Sequence, residues 1–229
     1  MILQKGNSMN VITIDGPGGA GKGTLSSLLA QHLNWTLLDS GALYRLCALA
    51  VSHHSIDPTN EDAVAAIAEH LDVKFVNEES KLTILLEGQD VTKQIRTEQV
   101  AKLASQIAPF KKVRNSLLNR QRAFAHDESL IADGRDMGTV VFPDAPIKFF
   151  LTASADVRAT RRVLQLKEMG KESDYEEILK DIQDRDERDM NREVAPLKPA
   201  QDAILIDSSD MDIKDVFKFM KSQVEKVGL

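Results

Sequence analysis

From Val11 to Thr24 the chain reads Val-Ile-Thr-Ile-Asp-Gly-Pro-Gly-Gly-Ala-Gly-Lys-Gly-Thr, and a helical run, Leu25 to Ala30, follows at once. The dense glycines let backbone N–H groups close around an anion, in dihedrals that a Cβ would resist. The following helix turns its unpaired amides and positive dipole end toward the same anion. Lys22 adds a mobile full charge that can follow β- and γ-phosphates. Gly16, Gly21 and Lys22 satisfy G-x-x-x-x-G-K, the spacing of a phosphate-binding P-loop. Gly16, Pro17, Gly18, Gly19, Ala20, Gly21, Lys22, Gly23 and Thr24 are therefore the candidate nucleotide cradle. Gly23 takes the place next to the lysine, so Thr24 is expected to reach a metal ion through water.

Two further groups could do chemistry with a phosphate. Asp133, in Ser129-Leu130-Ile131-Ala132-Asp133-Gly134, ends an apolar run where a carboxylate can hold Mg²⁺ or its waters. Six of the twelve arginines fall between Arg158 and Arg192. Arg158, Arg161 and Arg162 form one row; Arg185, Arg188 and Arg192 form another, with Asp189 between. Spacings of three and four put each row near one helical face. A polar stretch with Gly170 separates the rows, as a hinge would. Arginine offers a planar, permanently charged fork that fits phosphate oxygens. Phosphoryl transfer is mostly positioning and electrostatic stabilisation, so such clamps suit it. Closing them on bound nucleotide would keep water out.

Strand-like runs at Val11–Asp15, Trp35–Asp39, Ser129–Gly134, Ile147–Thr152 and Ala203–Ser208 alternate with helical segments. This pattern predicts a buried parallel sheet covered on both faces, an α/β fold. Ligands of such sheets collect beyond the strands' carboxyl ends, which here carry the glycine loop, Asp39-Ser40-Gly41 and Asp133-Gly134-Arg135-Asp136. Between Leu71 and Arg96 the texture changes to short runs, Val73–Val76, Leu82–Glu87 and Asp90-Val91, split at Asn77–Lys81 and Gly88-Gln89. They predict a small antiparallel meander in an inserted subdomain. Glu98 to Ala125 reads as helix broken at Pro109.

A chain of 229 residues has room for a full core, an insertion and a lid. Net charge of −6 argues against a nucleic-acid polymer or an anionic membrane as partner. Cys47 is the single cysteine, so no intrachain disulfide is possible. Met1 to Met9 lacks the apolar core of a signal peptide, and no run has the ~18 apolar residues of a membrane span. A cytoplasmic protein is expected. The His53-His54 pair has no third ligand at metal spacing and reads as a solvated helix end.

Taken together, Gly16–Thr24, Leu38-Asp39-Ser40-Gly41-Ala42-Leu43-Tyr44-Arg45, Asp133-Gly134-Arg135-Asp136-Met137-Gly138-Thr139 and Arg185–Leu197 resemble the bacterial cytidylate (CMP/dCMP) kinases. The resemblance runs from Asn10 nearly to the end. It implies a P-loop kinase core with a parallel five-stranded sheet flanked by helices, an inserted monophosphate-binding subdomain with a small antiparallel sheet, and a short lid. The implied division is core at 10–40, 109–156 and 175–229, insertion at 41–108 and lid at 157–174. It also implies a monomer that uses ATP and Mg²⁺ to phosphorylate CMP or dCMP, the metal held through water by Thr24 and Asp133.

By the same resemblance, Lys22, Arg135, Arg162 and Arg188 would be catalytic, with Arg162 and Arg188 bridging phosphates and Arg158 stacking on adenine. Ser105, Arg114 and Asp136 would read cytosine, and Arg185 and Asp189 the sugar. Ser40, Arg45, Arg135 and Arg192 would seat the acceptor's phosphate. The chemistry of the base agrees, because cytosine's N4 amino group suits a carboxylate while O2 and N3 want donors. Two other readings fit the loop: a kinase for another monophosphate or small metabolite, and a P-loop switch without transfer. The two arginine rows speak against the switch.

Overall fold

The computed structural model describes residues 10–78, 81–126 and 128–229. The N-terminal reading of Met1–Met9 and the turn at residues 79 and 80 lie outside the described residues. The elements are β1 (Val11–Asp15), α1 (Lys22–Leu33), β2 (Thr36–Asp39), α2 (Ser40–His53), α3 (Glu61–Glu69), β3 (Val73–Glu78), β4 (Lys81–Leu86) and β5 (Gln89–Asp90). There follow α4 (Glu98–Ile107), α5 (Lys111–Ala123), β6 (Leu130–Gly134), β7 (Ile147–Thr152), α6 (Ala155–Glu168), α7 (Tyr175–Asn191), β8 (Ile204–Asp207) and α8 (Ile213–Val227).

The chain divides into two compact units, residues 39–121 and the remainder. In the larger unit, five strands form one sheet in the order β2-β6-β1-β7-β8. β1 pairs in parallel with both β6 and β7, and β7 in parallel with β8. Every residue of β1 is buried, as an unbroken apolar run in a doubly covered sheet requires. Ile12, Ile14, Ile131, Phe149 and Leu151 meet Leu25 and Leu29 of α1 and Val216, Met220 and Val224 of α8 in one core. This packing fixes the carboxyl end of β1, from which the glycine loop departs.

The loop can leave β1 so sharply only because residue 16 is glycine. Its φ is +147°, and a Cβ there would lie 1.9 Å from the carbonyl oxygen of Leu151. Backbone of a central strand cannot yield, so Gly16→Ala is expected to cost about 3 kcal/mol or more. A urea titration measures this as a lowered midpoint with unchanged m-value.

The smaller unit holds the antiparallel sheet β3-β4-β5, with Val73 opposite Leu86, as the meander predicts. Two sequence expectations shift here. Ser40 and Gly41 form the first turn of α2 instead of a loop, because the Asp39 carboxylate accepts the Ala42 N–H at 3.0 Å and caps the helix. α5 stands with the insertion, not with the core from residue 109 onward. Its Gln121 accepts a hydrogen bond from Ser40 at 2.7 Å, the Lys112 N–H donates to Glu61 at 2.8 Å, and Arg114 lies over the Tyr44 ring.

Candidate functional site

α1 begins at Lys22 itself, so Lys22, Gly23 and Thr24 form its first turn and their amides face the loop. The Lys22 side chain folds back beneath that loop. Its Nζ donates to the Pro17 carbonyl at 2.9 Å and stands 4.0 Å from Asp133 Oδ1. Lys22 is buried. Burial, and then the charge of Arg135, lowers its pKa to about 7 in spite of Asp133. This is a cationic centre short of negative charge, poised for an anion.

Asp133 is also buried and lies one residue short of the end of β6. One of its oxygens is 3.6 Å from where a Cβ at Gly23 would stand, so the carboxylate lies beside the start of α1. The Asp133 carboxylate and the hydroxyl of the exposed Thr24 offer oxygen donors alone, the kind a hard cation takes beside waters and phosphate oxygens. Among the described residues no group of three His, Cys, Asp or Glu could hold a metal on its own.

Two arginines converge on the loop from different elements. Arg135 Nη2 and Arg185 Nη1 lie 3.4 and 3.5 Å from the Cβ position at Gly18. Arg135 Nε donates to Asp189 Oδ2 at 2.9 Å. Burial works against the Arg135 charge, yet Asp189, Asp133 and Asp15 more than offset it and raise its pKa. Burial likewise pushes against the Asp189 carboxylate, while Arg135 and Arg192 hold it below the usual carboxylate range. The sequence row Arg185–Asp189–Arg192 is thus one electrostatic cluster with Arg135.

Arg158 reaches the loop as well. Nη1 donates to the Gly18 carbonyl and to Asp186 at 3.0 Å each, Nη2 pairs with Asp186 at 2.5 Å, and Nε donates to Ala153 at 2.9 Å. All three nitrogens are engaged in the guanidinium plane. Arg162 and Arg188 make bonds of a different kind, local to their helices. Arg162 donates to Gln165 and Arg188 to the Asp184 carbonyl, each along its own helix. Arg161, read as part of the first row, ties α6 to Ser208 at 2.7 Å.

In the smaller unit Ser40, Ser105 and Arg114 are buried. Ser40 donates to Gln121, Arg45 to the Ile95 carbonyl at 3.1 Å and Arg114 to the Ala108 carbonyl at 3.2 Å. The Ser105 hydroxyl is buried and finds no hydrogen-bond partner. His54 meets Glu87 at an exposed surface, away from any metal arrangement. Cys47 is buried and its thiol is pushed up to about 12, an inert packing residue.

Two acidic residues escaped sequence reading. Asp186 carries no signal that separates it from its acidic neighbours Asp184 and Glu187 on α7. Asp15, the last residue of β1, accepts the N–H groups of Met137 and Gly138 at 2.8 Å each. Its position at a strand's carboxyl end beside the loop was the one signal available.

A glycine loop cradled at the end of a central parallel strand, with a buried lysine under it and arginines arriving from β6 and α7, defines a P-loop phosphotransferase. The sequence model of the cytidylate kinase family matches residues 12–226. The cytidylate kinase of Serratia proteamaculans (strain 568) is 57% identical over 208 residues, 91% of each chain. That of Yersinia pestis (strain Pestoides F) is 55% identical over 217 residues, 95% of this chain and 94% of the relative. The crystal structure of an uncharacterized protein from Eubacterium ventriosum shares the fold, at a TM-score of 0.50 and 15% identity over 95% of this chain and 99% of that one. The chain belongs to the cytidylate kinase family.

Proposed function

We propose that the protein transfers the γ-phosphoryl group of ATP directly, in line, to CMP or dCMP. The observation that carries this reading is the convergence of three basic side chains, Lys22, Arg135 and Arg185, on one loop of an acidic protein. Family membership supplies the acceptor.

ATP's phosphates lie along the amides of the loop and of the first turn of α1, where Lys22 meets the β- and γ-phosphates. Asp133 and Thr24 would hold Mg²⁺ through water, and when bound the metal would supply positive charge to the phosphates. Arg135 stabilises the transferring group, joined by Arg162 and Arg188 once bound nucleotide draws them in from their helices, and Arg192, Ser40 and Arg45 seat the acceptor's phosphate. Arg185 and Asp189 hold the sugar. Arg158, with its in-plane donors committed, offers its π face to adenine. Residues 157–174 act as the lid, and Gly170, at φ +70° past the end of α6, supplies its hinge. A cytoplasmic monomer belongs to the same reading.

Cytosine is read by Asp136, which accepts from the N4 amino group, and by Arg114 and Ser105, which donate to O2 and N3. The buried Ser105 hydroxyl without a protein partner supports this assignment. Uracil would oppose a carbonyl to the Asp136 carboxylate, a mismatch worth about 1–3 kcal/mol. An ADP-release assay is therefore expected to show CMP and dCMP preferred over UMP by roughly tenfold or more in kcat/KM. Asp136→Ala should narrow that ratio. UMP or AMP preferred over CMP would overturn the acceptor assignment, and ATP binding without acceptor-dependent ADP release would point to a switch.

A further inference from the structure

The Asp15 carboxylate is 3% exposed, an ionisable group buried at the centre of the sheet. Its two oxygens take two consecutive amide protons, Oδ1 from Met137 and Oδ2 from Gly138. An ionised carboxylate is acceptor-only and matches such a pair; a neutral amide or acid presents a donor to one of them.

The register of the sheet shows what this clamp encloses. β1 and β6 run side by side with Ile14 opposite Asp133 and Asp15 opposite Gly134, where the ladder ends. The chain then makes an excursion of two residues, Arg135 and Asp136, and returns to Asp15 at Met137 and Gly138. The excursion is tied to the same residue of β1 at both ends. The return needs glycine, because a Cβ on Gly138 would stand 2.8 Å from Thr13 Oγ1 and 3.1 Å from Lys148 Cδ. That close approach brings the Gly138 N–H onto Asp15.

The charges around Asp15 are those of the site: Asp136, Lys22 and Arg135 all act on it or feel it. Burial drives its carboxyl up to about 6, against the pull of both amides and of Lys22. A group that served stability alone would not be an acid here, since between pH 3.8 and 6 the folded chain holds a proton the unfolded chain lacks. Stability from this group therefore falls as pH rises through that window.

We infer that Asp15 is a positioning residue for phosphoryl transfer: by clamping the Met137 and Gly138 amides it fixes Arg135 and Asp136 relative to the phosphate loop. The inference rests on the proposed roles of Arg135 and Asp136 toward the acceptor. A displacement of about 1 Å in such groups can cost about 100-fold in rate.

The test uses the full chain with Asp15→Asn, a near-isostere that keeps one acceptor and turns a donor toward the other amide. Expected is a fall of about 100-fold in kcat/KM for CMP, with KM for ATP close to the parent's and a cooperative thermal transition at pH 8 near the parent's. Parent-like kinetics, or equal losses toward ATP and CMP accompanied by a collapsed transition, would overturn it. Hydrogen exchange on the parent protein decides the matter should the variant not fold. The Met137 and Gly138 amides should exchange as slowly as those of β1, and fast exchange there would refute the clamp. If the parent prefers another monophosphate, the acceptor assignment fails separately, and the same kinetic split is measured with that acceptor.

Discussion

Lys22→Ala is expected to lower kcat for CMP phosphorylation by about 10³-fold or more, the range lost when a group that stabilises transferring charge is removed. The buried ammonium sits under the loop on the Pro17 carbonyl, 4.0 Å from Asp133, where no bulk water can replace it. Turnover within tenfold of the parent would remove Lys22 from the chemistry. The same residue should be a burden to the ligand-free fold. Its folded pKa, about 7, lies below the unfolded 10.5. Between those values the unfolded chain holds a proton that the folded chain has shed, so stability from this group rises with pH across the window and the charged lysine costs stability below it. Lys22→Met should therefore unfold at a higher temperature than the parent at pH 6, with the gap closing toward pH 10. ATP supplies the missing negative charge, so its binding to the parent at pH 8 should take up a proton. Calorimetry in two buffers of different ionisation enthalpy reads that uptake, which Lys22→Met should abolish.

Local grammar made the loop legible in the sequence. An anion cradle is built from consecutive residues, so Gly16 to Thr24 could be read directly, and β-branched runs ending in Asp or Gly marked β1, β6, β7 and β8. What the sequence hid is pairing between distant elements. Nothing local says that β6 and β7 flank β1, or that Arg135 meets Asp189 and Arg158 meets Asp186. The helical spacing that joined Arg185, Arg188 and Arg192 into one row could not separate Arg185, turned to Gly18, from Arg188, turned along its own helix. The division that the resemblance implies puts residues from 109 onward in the core, whereas Gln121 and Arg114 hold α5 against α2. Asp15 stayed hidden since its partners are backbone amides, which carry no residue-type signature.

Arg135→Ala should produce the other large effect, and on two observables at once. Removing the guanidinium takes from Asp189 its hydrogen-bonded partner while that carboxylate stays buried. Stripping one member of a buried pair costs about 3–5 kcal/mol. Arg192 and Arg185 still face Asp189, which puts the expectation at the lower end, about 3 kcal/mol. The sign in acid follows from the depressed pKa of Asp189. Its contribution is present above the unfolded value of 3.8 and lost as pH falls through the folded value, so the variant should begin acid unfolding at a higher pH than the parent. Kinetically, kcat/KM for CMP should drop by about 10³-fold, as for other arginines on a transferring phosphoryl group. Arg135→Lys should recover the charge but little of the rate, because an ammonium cannot hold Asp189 and a phosphate with one rigid fork. Asp189→Asn completes a double-mutant cycle. A coupling of about 1–3 kcal/mol in unfolding free energy would show that the pair acts as a unit, and simple additivity would show that Arg135 leans on its other neighbours. Arg135 also depresses the pKa of Lys22. Its removal should raise that pKa and shrink the proton uptake on ATP binding, linking the two largest predicted effects through one measurable proton.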